Sequence, residues 1–187
     1  SLNRVVSFSY HNLPAGPYEE ITYGGFAGVD RHIRIHYAGL SSRLRSGYSI
    51  QSYSGLFGLG NNHLDYDPVV VSSAELPNGQ SYNFFYNSYG ELARVELPTG
   101  GAFEYDFQTS DGVIDLGVWS SDPIGPVTEY EIYRRVTTKR IYGAGGALES
   151  VIEFAGGPTG NNTEAQVTYR DSNGNWLAGE KHYYYGS

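Results

Sequence analysis

The 187-residue chain contains no cysteine and no methionine. Without cysteine, the sequence excludes disulfide bridges, thiolate metal ligands and a thiol nucleophile. A sustained 3.6-residue periodicity is also lacking, so we expect helix to be minor. No segment approaches the roughly 20 consecutive apolar residues that cross a bilayer, and the sequence therefore predicts no membrane insertion.

Positive charge is scarce as well. Twelve Lys and Arg residues stand against 20 Asp and Glu residues, which gives a formal net charge of −8. Nucleic acids and anionic membranes favour basic surfaces, so neither is an expected partner. The sequence also lacks a G-x-S-x-G motif, a P-loop and a nucleotide-binding glycine fingerprint. We therefore expect no enzyme activity and no cofactor.

Glycine and aromatic residues are abundant instead. The chain has 25 Gly, 18 Tyr and 8 Phe residues. Aromatic side chains favour strands and glycine supplies turns, so this composition indicates an all-β fold.

One stretch of the chain occurs twice. Residues 71–86 (VSSAELPNGQSYNFFY) recur twenty-one positions later as residues 92–107 (LARVELPTGGAFEYDF). Four residues return unchanged, with Glu75, Leu76, Pro77 and Gly79 becoming Glu96, Leu97, Pro98 and Gly100. Three aromatic positions return as aromatics, with Tyr82, Phe84 and Tyr86 becoming Phe103, Tyr105 and Phe107. A short fixed period is typical of stacked supersecondary units.

Each copy consists of alternating residues and turn residues. Residues 102–107 alternate between aromatic and small or acidic side chains, which is the period of a strand. Three segments contain the residue types that form tight turns. They are Leu76-Pro77-Asn78-Gly79, its copy around Pro98-Thr99-Gly100, and the intervening Asn87-Ser88-Tyr89-Gly90. The sequence therefore predicts an antiparallel meander of repeated hairpins.

The repeat resembles a known family. The run Tyr86-Asn87-Ser88-Tyr89-Gly90-Glu91-Leu92, followed by Pro98-Thr99-Gly100 and Phe103-Glu104-Tyr105-Asp106, is similar to the YD repeat of RHS proteins. Asn87 stands where the family usually has Asp. The good resemblance covers residues 66–107, and a weaker third copy begins at Tyr169.

The resemblance implies a structural role. YD-repeat sheets coil into a hollow shell, secreted or displayed on bacterial cells, that encloses a polypeptide cargo, often a toxin. We accordingly expect residues 1–187 to be a single all-β segment of a larger repeat protein, a slice of a curved sheet that acts as a non-catalytic wall. Its partners would be neighbouring repeats and the cargo. Residues 108–128 break the pattern and are expected to form a loop-like insertion.

Strands are also expected outside the repeats. The predicted ranges are 4–10, 31–37, 47–53, 129–142, 147–154, 165–170 and 180–185, with a loop around Pro14, Gly16 and Pro17.

Two groups of residues invite a catalytic or metal-binding interpretation. His32 and His36 would form a zinc-like pair on a helix, but alternation with Ile33 and Ile35 predicts a strand. On a strand the two histidine Cα atoms lie about 13 Å apart, too far for simple coordination of one ion. We therefore predict a solvated polar face and no metal site.

Asp65 and Asp67 approach the spacing of paired glycosidase carboxylates, about 6 to 7 Å if extended. The adjoining Pro68 makes a turn an equally good prediction.

Two further motifs read most simply as turns. Asp171-Ser172-Asn173-Gly174-Asn175 is similar to a calcium loop but has its glycine at the wrong position, so a plain Asn-Gly turn is the better prediction. Asp122-Pro123-Ile124-Gly125 resembles a motif near the self-cleavage site of RHS core domains, but it lacks the flanking pattern. Asp-Pro is also a common way to open a turn.

The aromatic residues themselves are the remaining candidates. Two hypotheses apply to Tyr82, Phe84, Tyr86, Phe103, Tyr105 and Phe107. Paired across repeats, they would form a ladder that packs successive hairpins together. The alternative is a carbohydrate-binding or adhesive module whose exposed aromatics stack on sugar rings, with Trp119 and Trp176 as further platforms.

Overall fold

The computed structural model describes residues 5–14, 16–57, 63–109, 114–115, 130–131, 134–156 and 164–183. These residues form thirteen strands and very little helix. The strands are β1 Val6–Leu13, β2 Gly16–Gly24, β3 Asp30–Gly39, β4 Val69–Glu75, β5 Ser81–Tyr86, β6 Leu92–Glu96, β7 Ala102–Thr109, β8 Ile114–Asp115, β9 Tyr130–Glu131, β10 Arg134–Tyr142, β11 Leu148–Gly156, β12 Glu164–Asp171 and β13 Trp176–Tyr183. Within the same ranges, no helix has the length and apolar character of a membrane span.

The main sheet is an antiparallel meander of eleven strands. Its order is β1-β2-β3-β4-β5-β6-β7-β10-β11-β12-β13, while β8 and β9 pair separately. Strands that are consecutive in the chain are therefore neighbours in the main sheet, except that β10 follows β7. This confirms the predicted all-β fold of repeated antiparallel hairpins.

The chain divides into two compact units. The first comprises residues 1–103 and 142–147, and the second comprises residues 104–141 and 148–187. Strands β1–β6 belong to the first unit, and β12 and β13 belong to the second.

Five turns among the described residues share one geometry. They are Leu76–Gln80, Asn87–Glu91, Leu97–Gly101, Gly143–Ala147 and Asp171–Asn175. In each turn the first amide donates to the fifth carbonyl and the fourth amide donates to the first carbonyl. The fourth residue is always a glycine with φ between 75° and 89°. Only glycine adopts that backbone without strain, so glycine at the fourth position sets the hairpin.

Strand register gives the first unit one apolar face. Ile21 of β2 lies opposite Phe8 of β1 and Ile33 of β3. Two residues along, Ile35 of β3 lies opposite Ala74 of β4. Because directly opposed side chains lie on the same side of a sheet, these five residues share one face, which we call the apolar face. Glu19 also lies on it, opposite Ile35.

The core of the first unit lies where residues 40–57 and 63–68 pack on the β5–β6 turn. Leu40 and Ala93 have no exposed surface, and Leu56 is buried. Leu40 begins a short 3-10 helix, Leu40–Ser42, and Leu56 belongs to the only α-helix of the described residues, α1 (Tyr53–Phe57). A ring cluster surrounds this core and consists of Tyr53, Phe57, Tyr66 and Tyr89.

The strand predicted at residues 47–53 is wrong. The segment is irregular, and α1 begins at Tyr53. Its backbone forms hydrogen bonds with residues 64–66, which precede β4. Tyr66 N donates to Gln51 O at 2.8 Å, and Tyr53 N donates to Leu64 O at 3.0 Å. Burial of Leu56 and these tertiary bonds override the alternating pattern that predicted a strand.

The loop predicted around Pro14, Gly16 and Pro17 is also shorter than expected. β2 begins at Gly16, and Pro17 lies opposite Asn12 of β1. Proline is tolerated near the start of a strand, where its missing N–H costs no ladder bond. The strands predicted at 4–10, 31–37, 147–154 and 165–170 correspond to β1, β3, β11 and β12. The range 129–142 contains two strands, β9 and β10, and β13 begins at Trp176, four residues before the strand predicted at 180–185. Most of the predicted insertion at 108–128 lies outside the described residues.

Asn87, the first residue of the Asn87–Glu91 turn, has no exposed surface. Its side-chain oxygen accepts from the amides of Tyr89 at 2.9 Å and Glu91 at 3.1 Å. Its Nδ2 donates to the Glu91 carboxylate at 2.5 Å. An aspartate at position 87 would place its carboxylate beside that of Glu91, and the two like charges would repel. The Asn87 amide instead donates a hydrogen bond to Glu91.

We expect Asn87→Asp to destabilise the fold by about 1 to 3 kcal/mol at pH 7, because a buried donor is replaced by a charge facing Glu91. The free energy of unfolding in urea measures this loss. Asn78→Asp, in the exposed Leu76–Gln80 turn, is the matched control and should change stability by less than about 0.5 kcal/mol. Equal stability of the two variants would contradict the role of Asn87.

Candidate functional site

The side of the first unit opposite the apolar face carries a chain of ionisable side chains, which we call the polar network. It consists of Glu20 on β2, His32, Arg34 and His36 on β3, and Glu75 on β4. Register explains the grouping, because Arg34 lies opposite both Glu20 and Glu75. Period-two alternation then places His32 and His36 on the same side.

Arg34 is the centre of the polar network. Its Nε donates to Glu20 Oε2 at 2.8 Å, and its Nη1 lies 3.7 Å from Glu75 Oε1. The Glu20 side chain is only 15% exposed. The Arg34 hydrogen bond holds the pKa of the Glu20 carboxyl below its ordinary value, and burial opposes that effect. The guanidinium therefore ties three neighbouring strands together.

Each histidine of the polar network meets a different glutamate. His32 Nδ1 lies 3.2 Å from Glu20 Oε1, and His36 Nε2 lies 3.6 Å from Glu75 Oε2. Both are on β3, so the predicted strand is confirmed. Within the ranges described, no three His, Asp or Glu residues come together in a group that could hold a metal ion.

Rings extend the network toward β1. Tyr18 of β2 stacks on His11 of β1 with ring centroids 4.5 Å apart and an interplanar angle of 14°. On its other side Tyr18 approaches His36 at 5.5 Å, and the Arg34 guanidinium lies 5.8 Å from its ring centroid. Cross-strand contacts of this type stabilise a sheet.

An open cleft of about 640 Å³ adjoins the network. It lies between the start of β3 and the β4–β5 turn, with Arg31, His32, Arg34, Glu75 and Asn78 in its lining. The charged groups that it shares with the network already bind one another. Arg34, His32 and Glu75 do not pair a nucleophile with a base. Their contacts with Glu20 and with one another support a role in holding the strands together.

The two aspartates with glycosidase-like spacing do not act together. Asp67 Oδ1 accepts from Ser41 N and its Oδ2 accepts from Ser41 Oγ, both at 2.7 Å. These bonds lower the pKa of Asp67. Asp65 forms an isolated bridge with Ser52. Asp67 thus anchors the 3-10 helix Leu40–Ser42 beside the start of β4.

The calcium-like segment is a turn. Asp171 Oδ1 accepts from the amides of Asn173 at 2.9 Å and Asn175 at 2.8 Å, and Gly174 has φ 83°. Asp171 therefore closes the fifth of the common turns, as the plain-turn prediction requires. Asp122–Gly125 and Trp119 lie outside the described residues.

The six repeat aromatics do not pair in the way that the ladder hypothesis assumed. Strand β6 lies between β5, which carries Tyr82, Phe84 and Tyr86, and β7, which carries Phe103, Tyr105 and Phe107. The sequence repeat is two strands long, so equivalent residues fall on alternate strands. All six side chains are half-buried. Tyr86 also donates from its hydroxyl to Val71 O at 2.7 Å.

The polar network was missed from the sequence. Alternation in Arg31–His36 predicts a polar side for β3, but the partners come from β2 and β4. Finding them requires the register of three strands, and the bulge near His36 and Tyr37 shifts that register.

No protein-family model matches this sequence, and no curated protein matches it. The resemblance to YD-repeat proteins therefore depends on the repeat residues themselves.

We expect Arg34→Met to lower the free energy of unfolding by about 1 kcal/mol at pH 7, since the exposed part of this ion pair is screened by water. Arg34 lowers the pKa of Glu20 in the folded chain. That contribution is complete above the ordinary carboxyl pKa of about 4.3 and disappears as the pH falls through the lower, folded value. The difference between the two proteins should therefore shrink below about pH 4.

Lys181→Met is the control for this prediction, because Lys181 contacts Glu164 at 2.7 Å with a more exposed side chain. Its cost should be smaller than that of Arg34→Met in urea unfolding at pH 7. Arg34→Met with wild-type stability at pH 7, or with a deficit that persists in acid, would show that the network does not hold the strands.

Proposed function

We propose that this chain is a structural, non-catalytic wall segment of a secreted or surface YD-repeat shell that encloses a polypeptide cargo. A wall needs continuous strand pairing and two differently composed faces. The strand order β1 to β13 supports the first requirement, and the apolar face and polar network of the first unit support the second.

The outer strand β1 is the observation that carries the proposal. Seven of its eight residues are exposed, including Val6 at 52%, Phe8 at 75% and Tyr10 at 63%. Its sequence, VSFSYHNL, contains no Lys, Arg, Asp, Glu or Pro. Edge strands of self-contained sheets are normally protected by charge, proline or a bulge. An unprotected edge with exposed apolar residues is suited to pairing with a further strand.

The other outer strand, β13, is also open. All eight of its residues are exposed. Unlike β1 it contains an acidic and a basic residue, Glu180 and Lys181. The proposal assigns both edges to neighbouring repeats of the same polypeptide, each of which would extend the sheet.

The polar network and Asp67 support the same proposal. Arg34 links Glu20 and Glu75 across three strands, and Asp67 anchors Ser41. These groups are used within the fold.

We expect this segment to be more stable inside a longer polypeptide that carries its adjoining repeats. In a repeat array each unit gains stability from its neighbours, so the urea midpoint and the resistance of residues 5–57 to protease should both increase. A flexible Gly/Ser extension of equal length is the control and should change neither. An unchanged midpoint with the natural repeats attached would contradict the wall.

A further inference from the structure

Trp176, the first residue of β13, is unusually exposed for its size. Its exposed fraction is 65%. A Cβ added at Gly179 would lie 3.6 Å from Nε1 and 4.0 Å from Cζ2 of the indole. The ring therefore lies against the backbone at Gly179, in space that a side chain there would share. The rest of the indole faces solvent.

A charged pair lies on the same face of the sheet as this ring. Register places Trp176 opposite Arg170 of β12, just beyond a bulge. Arg170 Nε donates to Glu153 Oε2 of β11 at 2.8 Å, and its Nη1 donates to Gly174 O at 3.2 Å. Arg170 is thus held on two sides, and 44% of the Glu153 side chain remains exposed.

The same face of the second unit is mostly polar beyond the indole, although Val151 lies on it opposite Arg170 and Ala155 opposite Gln166. Glu153 lies opposite Thr168, which lies opposite Gly179, and Gln166 lies opposite Lys181. A stable protein interface needs a much larger apolar patch than one ring. A single indole with charged hydrogen-bonding groups beside it is suited to a ligand that is itself small, ring-shaped and amphipathic.

We propose that Trp176, Arg170 and Glu153 form a stacking site for one pyranose ring of a glycan. The C–H face of the sugar would lie on the indole, which is apolar on its faces and has an N–H donor at its edge. Sugar hydroxyls would donate to Glu153 and accept from Arg170, and charge-assisted hydrogen bonds of this kind are the stronger ones.

This site does not depend on the wall. A strand added at the edge of β13 would pair through backbone groups in the plane of the sheet, whereas the indole lies over Gly179 on one face of the sheet. The glycan site can therefore fail while the wall is correct, and the reverse also holds.

Calorimetric titration of the 187-residue chain with chitohexaose, cellohexaose and a mannohexaose tests the site. We expect binding in the millimolar range to at least one of them, as is usual for a single shallow contact. Trp176→Ala should weaken that binding at least tenfold. Glu153→Gln, which keeps the shape of the side chain and removes its charge, should weaken it severalfold.

Leu177→Ala is the matched control, because Leu177 is the next residue and is 57% exposed. It removes apolar surface without removing a ring and should leave the affinity unchanged. Far-UV dichroism and the urea midpoint establish that each variant is folded, and Glu153→Gln keeps the test decisive if Trp176→Ala unfolds. No binding of any of the three sugars up to about 10 mM, or equal affinity of wild type and the folded variants, would overturn the proposal.

Discussion

Five of the ten neighbouring strand pairs of the main sheet are joined by one kind of five-residue turn, and the pairing of these hairpins depends on it. Its two backbone hydrogen bonds and a glycine with positive φ recur at Leu76–Gln80, Asn87–Glu91, Leu97–Gly101, Gly143–Ala147 and Asp171–Asn175. Because the turn is short, the two strands that it joins pair with each other. Other neighbours, such as β3 and β4, pair across a much longer connection. The side chains at the other turn positions vary from Pro and Asn to Gly and Asp, so the backbone geometry is the repeated element.

The two faces of the first unit follow from the alternation of side chains along its paired strands. Ile21, Ile33 and Ile35 fall on one side of β2 and β3, and Glu20 and Arg34 fall on the other. Bulges near His36 and near Phe85 then locally shift the register. The buried Asn87 follows directly on the second bulge, where its side chain satisfies the amides that the turn leaves open.

The repeat residues predicted the local structure well, since strands and turns of one hairpin are encoded within a few residues of each other. The twenty-one-residue echo predicted β5, β7 and their turns correctly. It led to an incorrect pairing of Tyr82 with its counterpart Phe103, because a sequence repeat of two strands places equivalent residues two strands apart.

Features that depend on distant residues could not be read from the sequence. The segment 47–53 alternates like a strand, yet bonds between Gln51 and Tyr66 and the burial of Leu56 make it irregular and then helical. The polar network has the same origin, because Arg34 meets Glu20 and Glu75 only once the register of β2, β3 and β4 is fixed. Asp67 is a third case, since its partner Ser41 is 26 residues away.

The proposed wall requires β1 to be an interior strand of a longer sheet. Amide hydrogen exchange of residues 6–13 tests it most directly, because in an antiparallel pair roughly half of the amides of an outer strand have no partner. In the 187-residue chain those outward amides should exchange rapidly. In the longer polypeptide we expect these amides to become as protected as the amides of β5. Rapid exchange of the same amides in the longer polypeptide would contradict the proposed wall.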